Sequence, residues 1–441
     1  MTHPLDVRPV VVPAPPFVPP AATATALANG TPVWVLERAG LPLVSLEVHV
    51  AGGRSLDQVA GLAHFADRML THGAGDRDAS AFAETLEQAA LNMVASTTDH
   101  STVVRLSAHT DQLALGLELL ADALCRPRFD EDEVGRVRDQ VLGDIAQGQD
   151  EPQDQAHVVG NRLFFGDGAL GLPGMGTAES VAAMTADQLR ASWTQRLRRG
   201  LHIIAAGAVE VGALTAALDV HLGSLERVVE PVDAVEPAAR TGRYLVHQPE
   251  APQSVIRLLA PGWNVHSEAR CAATLGALVL GGTFTSRLNT ILREEKGWSY
   301  GARLWLHPER EHGSRVLFQT SVVAEHTGDA VTILLEQLAL AANEGITEAE
   351  KGKACGASRT SVVSALDSCG RACQALGSLA AQGVKPDALQ TRLAEVASCT
   401  REDINAALAC IDASEGVLVV VGDRETLKDQ LPGTWIEVAP W

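Results

Sequence analysis

At 441 residues, with 46% apolar and 20% charged side chains, the chain is long enough for roughly two to four ordinary folding units and too apolar to be disordered. Thirty-five basic against 54 acidic residues give a formal net charge of −19, which argues against nucleic acid, because phosphate binding needs clustered positive charge. A negative surface would suit basic peptides, but simple solubility explains it equally well.

The first twenty residues carry seven prolines and no basic start followed by an unbroken apolar stretch, so residues 1–28 are expected to form an extended arm and not a secretory signal. Asn29-Gly30 is a turn signal, and the β-rich stretches 32–36 and 43–50 that follow read as a hairpin ending at Gly52-Gly53. Helical periodicity then covers 60–70 and 80–91, a strand is expected at 101–106, and two further helices at 111–123 and 131–147. No later apolar run reaches the roughly 18 to 20 uninterrupted residues that a membrane span needs. Seven cysteines, an odd number without paired CxxC spacing, predict neither a disulfide framework nor a cysteine-based zinc site, and make the cytoplasm the default compartment. Cys369 and Cys373, four apart on a predicted helix, read as buried small apolar residues.

The plan repeats. HTDQLALGLELLADAL from His109 resembles HTGDAVTILLEQLALAA from His326, and an acidic helix start follows each, at Glu131 and Glu348, an offset of 217. So long a period marks a duplicated domain and not a solenoid unit. The stretch 225–243, rich in Val, Pro, Glu and Ala, suits a linker with its midpoint near residue 235. The expected domains are therefore 29–224 and 244–441. Hairpin-style strands with segregated helices in each predict an α+β fold of two duplicated, antiparallel-rich sheet domains.

The most informative stretch is GLAHFADRMLTHG, Gly61–Gly73. It resembles the inverted zinc motif HxxEH of the pitrilysin or insulinase peptidases, in which two histidines at i and i+4 share a helix face and the intervening Glu activates the metal-bound water. Here the matching positions are His64, Asp67 and Arg68. The family's third ligand, a Glu in a helix reading like VLEEI, falls on Asp144 in Val141-Leu142-Gly143-Asp144-Ile145. Arginine has no lone pair to give a metal, and Asp67 is one methylene short for a base. The resemblance therefore implies a dismantled site that binds no metal, with the Arg68 guanidinium standing where zinc would sit, bonded to Asp144 and with Asp67 as a second candidate partner. His72, eight residues beyond His64, is a poor substitute.

In the second half, GGTFTSRLNTILREEKGWSY (Gly281–Tyr300) resembles the family's C-terminal signature, whose Arg and Tyr grip the substrate and help stabilise the oxyanion. The matching residues are Arg293 and Tyr300, with the spacing of seven intact. Read singly, Arg293 is a helix-surface charge paired with Glu294 and Tyr300 a core edge residue; found together, they point to function. The resemblance implies a pitrilysin-type half clamshell acting as the non-catalytic subunit of a two-chain zinc peptidase. Arg293 and Tyr300 would then be donated to an HxxEH-bearing partner that carries the zinc, and the substrate would be a peptide. Two alternatives stay open: a scaffold subunit of a larger complex without peptidase role, and a homodimeric enzyme with an unusual metal on His64, Asp67 and Asp144.

Overall fold

The computed structural model describes residues 12, 17–226, 239–310 and 313–441. Most of the expected arm and the middle of the expected linker lie outside the described residues.

Two six-stranded mixed sheets organise the chain. The first contains β1 (Thr23–Ala26), β2 (Pro32–Glu37), β3 (Leu43–Ala51), β4 (Asn92–Thr97), β5 (Ser101–His109) and β6 (Leu201–Gly207), in the order β1-β2-β6-β3-β5-β4. The second contains β7 (Gly242–His247), β8 (Gln253–Pro261), β9 (Ser299–His307), β10 (Arg315–Val323), β11 (Val417–Gly422) and β12 (Ile436–Val438), in the order β12-β7-β11-β8-β10-β9. This is the α+β, pitrilysin-like architecture expected from the sequence. Among the described residues no helix is long and apolar enough to cross a membrane.

Two local expectations fail. The stretches 32–36 and 43–50 are strands but not a hairpin: β6 inserts between them, parallel to β2 and antiparallel to β3. Alternating apolar residues specify a strand, not its partner. The segment assigned to the arm also supplies β1, because Thr23–Ala26 pairs antiparallel with β2 and closes that edge of the sheet.

Both faces of each sheet are covered, as the near-continuous apolar character of β2, β6 and β11 requires. Along β2, Val33 and Val35 enter the core built with the first half's own helices, while Trp34 and Leu36 face the opposite side. That opposite side is covered by the other half: the helix Cys369–Ala381 lays Ala372, Cys373, Leu376 and Leu379 on Trp34, Leu36, Ile204 and Ala206. Reciprocally, the helix Pro152–Phe165 of the first half lays Ala156, Val159, Leu163 and Phe164 on Val246, Val255, Leu259 and Val419 of the second sheet. These two helices start 217 residues apart, the repeat offset itself. The duplicated units therefore exchange an equivalent helix, and each fully buried Val, Leu or Phe of the exchange contributes on the order of 1.5–3 kcal/mol to holding the halves together. Cys373 is fully buried in one of these contacts and Cys369 partly so, and all seven cysteines are free.

Candidate functional site

The helix Leu62–Met69 carries three of the motif residues. Its N-cap, Gly61, has a φ of +85°, and an added Cβ would lie 2.5 Å from the Met175 carbonyl, so only glycine admits the chain here. The first turn is fixed by Asp57, which accepts from the Ala63 amide at 3.1 Å and is ion-paired with Arg196, both side chains being buried. Phe65, Ala66 and Met69 anchor the inner face in the core.

On this helix, Arg68 Nη1 donates to Asp144 Oδ2 at 2.5 Å, joining it to the helix Glu131–Asp150. Asp67 stands apart from that pair. It is 2% exposed, bonded to Thr97 of β4, and its Oδ2 has no hydrogen-bond partner among the described residues. Burial pushes its carboxyl up to about 7, against the opposing pull of Thr97, Arg196 and Arg68. His64 is pushed down to about 4 by burial and the adjacent Arg68 charge, so its ring is neutral, with Nε2 buried and unbonded among the described residues. His72 is engaged elsewhere, 2.8 Å from Arg136 Nη2 and 3.4 Å from Glu133.

This donor set does not fit zinc. His64 offers one ring nitrogen, but the position one turn on is a guanidinium committed to Asp144, and Asp67 faces β4 as a buried acid. Nor do His64, Asp67 and Asp144 form the alternative metal set. Among the described residues, His, Cys, Asp and Glu ligand atoms converge only at Asp99, His307 and Glu309, and arginines and histidines already occupy that group.

Arg293 lies in a π-helical turn, Thr290–Glu295, a helix defect often found at functional sites. Its guanidinium carbon sits 3.9 Å from the ring centre of Phe284, itself 64% exposed, and Nη1 is 3.4 Å from Glu294. Tyr300 is 92% exposed on β9, an edge strand, so it is not a core residue. Neither residue lines the cavity that His64 faces.

That cavity, of about 520 Å3 between the two halves, holds a polar network that sequence reasoning missed. Arg54 and Arg315 share Asp99, at 2.6 and 3.0 Å; burial works against its charge, yet the two arginines hold its carboxylate well below the usual range. Glu309 is bracketed by His100 and His307, each at 2.9 Å, with Arg315 at 3.5 Å. Arg257 Nη1 donates to Gln319, and Nη2 lies 3.3 Å from His157 Nδ1. His157 is pushed down to about 3 by burial and the Arg257 charge, so it stays neutral and can accept. A charged residue at the centre of an otherwise apolar strand, as Arg257 is in QSVIRLLAP, was the available signal.

Two family models match in tandem: the insulinase (M16) peptidase model over residues 35–177 and the M16 peptidase inactive-domain model over 183–355. Among curated proteins, an uncharacterized zinc protease of Mycobacterium tuberculosis is 29% identical over 387 residues, covering 85% of this chain and 87% of the relative. One from Streptomyces coelicolor is 26% identical over 392 residues, covering 87% and 84%. Among solved structures, a peptidase M16 inactive domain from Pseudomonas fluorescens superposes with a TM-score of 0.83 at 21% identity, covering 91% of this chain and 98% of that one. A chain of Complex III2 from Candida albicans does so with a TM-score of 0.78 at 15% identity, covering 92% and 97%.

Proposed function

Because the chain belongs to the insulinase (M16) family of peptidases, we propose that it is the non-catalytic subunit of a two-chain zinc peptidase, working in the cytoplasm and lending Arg293 and Tyr300 to the active site of a homologous partner that bears an intact HxxEH. The zinc would reside on the partner. The observation that carries the proposal is the division of the two motifs: the ligand positions are closed by the Arg68–Asp144 ion pair, while Tyr300 stands 92% exposed on the edge strand β9. An edge strand leaves backbone groups open to an extended peptide. A guanidinium fork beside it can hold a substrate carbonyl, and a phenol can donate to a developing oxyanion, a contact worth on the order of 3 kcal/mol. Seven free cysteines suit a reducing compartment.

The test is co-purification with an HxxEH-bearing chain, followed by peptide turnover by the pair. Arg293→Ala and Tyr300→Phe are expected to lower kcat/KM at least tenfold while leaving assembly intact. Values within twofold of wild type for both variants would favour a scaffold subunit without peptidase role.

A further inference from the structure

The two sheets are built alike down to single positions, and one position breaks the likeness. The fifth residue of β3 is Glu47 and the fifth of β5 is Arg105; they are paired across the strands and joined by an ion pair of 2.8 Å, with His49 bonded to the same acid at 3.0 Å. The fifth residue of β8 is Arg257 and the fifth of β10 is Gln319, again paired across the strands. The exchanged helix crosses each pair at a glycine, and these glycines, Gly377 and Gly160, also lie 217 residues apart. A Cβ on Gly377 would lie 2.7 Å from Glu47 Oε2, and one on Gly160 would lie 3.5 Å from Arg257 Cδ. The first copy closes on a neutralised acid–base pair. The second closes on an arginine alone.

Arg257 is 5% exposed, and among the described residues no carboxylate lies within ion-pair distance of it. Two neutral acceptors, Gln319 and His157, take two of its donors, and Nε has none. Its neighbour Arg315, likewise 5% exposed, shares Asp99 with Arg54 and also leaves Nε unbonded. A buried cation without a counter-charge is costly, and the cost is removed when an anion arrives. Burial and the charge of Arg315 push Arg257 down to about 10, which leaves it cationic at neutral pH.

Arg257 and Arg315 both line the interdomain cavity, whose apolar wall includes Trp305, Leu317, Met175 and the C-terminal Trp441 and whose acids are Asp99, held by Arg54 and Arg315, and Asp154. We propose that this cavity binds a carboxylate carried on an apolar body, with Arg257 as its counter-ion and the aromatic and aliphatic wall taking the rest of the ligand. The planar fork of a guanidinium matches a carboxylate in two parallel hydrogen bonds. A bare inorganic oxyanion would leave the apolar wall unused. The ligand class that joins the two features is the C-terminal residue of a peptide with an apolar side chain. Its peptide origin rests on the function proposed above, whereas the carboxylate site rests on Arg257 alone.

Isothermal titration of the full chain, without any partner, tests this with three probes: N-acetyl-Ala-Ala-Leu as the free acid, the same tripeptide as its C-terminal amide, and sodium phosphate. The acid is expected to bind saturably at one site, the amide at least tenfold more weakly, and Arg257→Met to weaken the acid at least tenfold. Arg257→Met strands no opposite charge and forfeits only the hydrogen bonds to the neutral Gln319 and His157, so it should melt close to wild type. Should that variant fail to fold, the acid–amide contrast in the wild-type chain decides. No saturable binding of the acid, equal binding of acid and amide, undiminished binding by a folded Arg257→Met, or phosphate binding tighter than the acid would each overturn the assignment. Such a failure would leave the subunit proposal standing, since that proposal is judged by turnover with a partner.

Discussion

Asp67→Asn should stabilise the protein at alkaline pH and do little in acid. The native Asp67 carboxyl is 2% exposed and raised to about 7, whereas in an unfolded chain an aspartate titrates near 3.9. Between about pH 4 and pH 7 the unfolded chain has lost a proton that the native state keeps, so native stability falls as pH rises through that window, and above it no more is lost. Each unit of separation is worth about 1.4 kcal/mol, so a gap of roughly three units puts the full loss near 4 kcal/mol, with about 2 as a cautious floor. Asparagine has no proton to lose. The variant should therefore match wild type to within about 1 kcal/mol near pH 4.5 and exceed it by about 2–4 kcal/mol at pH 8. Melting temperatures of both proteins across pH 4.5–8 provide the assay, read as the difference between them so that other titrating groups cancel. A difference that does not change with pH, or a wild type that gains on the variant as pH rises, would refute the reasoning and restore Asp67 as an ordinary carboxylate.

Arg196→Met strands the buried Asp57 carboxylate and should cost about 3–5 kcal/mol in urea unfolding, with Asp57→Asn on top recovering part of it; a single-variant cost below about 1 kcal/mol would mean the pair does not secure the start of the motif helix. Gly377→Ala places a Cβ 2.2 Å from His49 Nε2 and should destabilise by about 1–3 kcal/mol, whereas Gly356→Ala meets nothing within 4 Å and should stabilise by about 0.5–1 kcal/mol. Melting curves of the two variants with opposite signs would confirm the close approach of the exchanged helix, and equal signs would contradict it.

Element types and the duplication were legible because they are written in local periodicity and in self-similarity at one offset. Helices at 62–69, 113–125 and 131–150 fall within a few residues of the expected bounds, and the second acidic helix starts at Glu348 as the repeat requires. Partnerships were not legible. Pro32–Glu37 and Leu43–Ala51 look like a hairpin because they are neighbours in sequence, and nothing local announces that Leu201–Gly207 will enter between them. The exchange of helices was hidden for the same reason: Ala156, Val159, Leu163 and Phe164 make an apolar stripe that suits either sheet. At the candidate site, the Arg68–Asp144 contact followed from the identities at ligand positions that converge in the fold. The Arg54–Asp99–Arg315 and His100–Glu309–His307 network did not, since its members come from a 3-10 helix, loops and strands of both halves and meet only when the halves pack together.

Charge balance links the two departures from the family and repeat patterns. At the positions that match the family's zinc ligands, Arg68 sets a tethered positive charge against the half-exposed Asp144 carboxylate. At the centre of the second sheet the charge has no such partner: the position matching an acid in the first sheet is an arginine, and no side chain among the described residues replaces the lost negative charge. Folding alone would favour methionine or leucine at Arg257, flanked as it is by Val255, Ile256, Leu258 and Leu259. Where the first sheet neutralises its buried acid with Arg105, the second leaves Arg257 beside a cavity with no carboxylate at ion-pair distance among the described residues, and the proposed carboxylate ligand would complete that position.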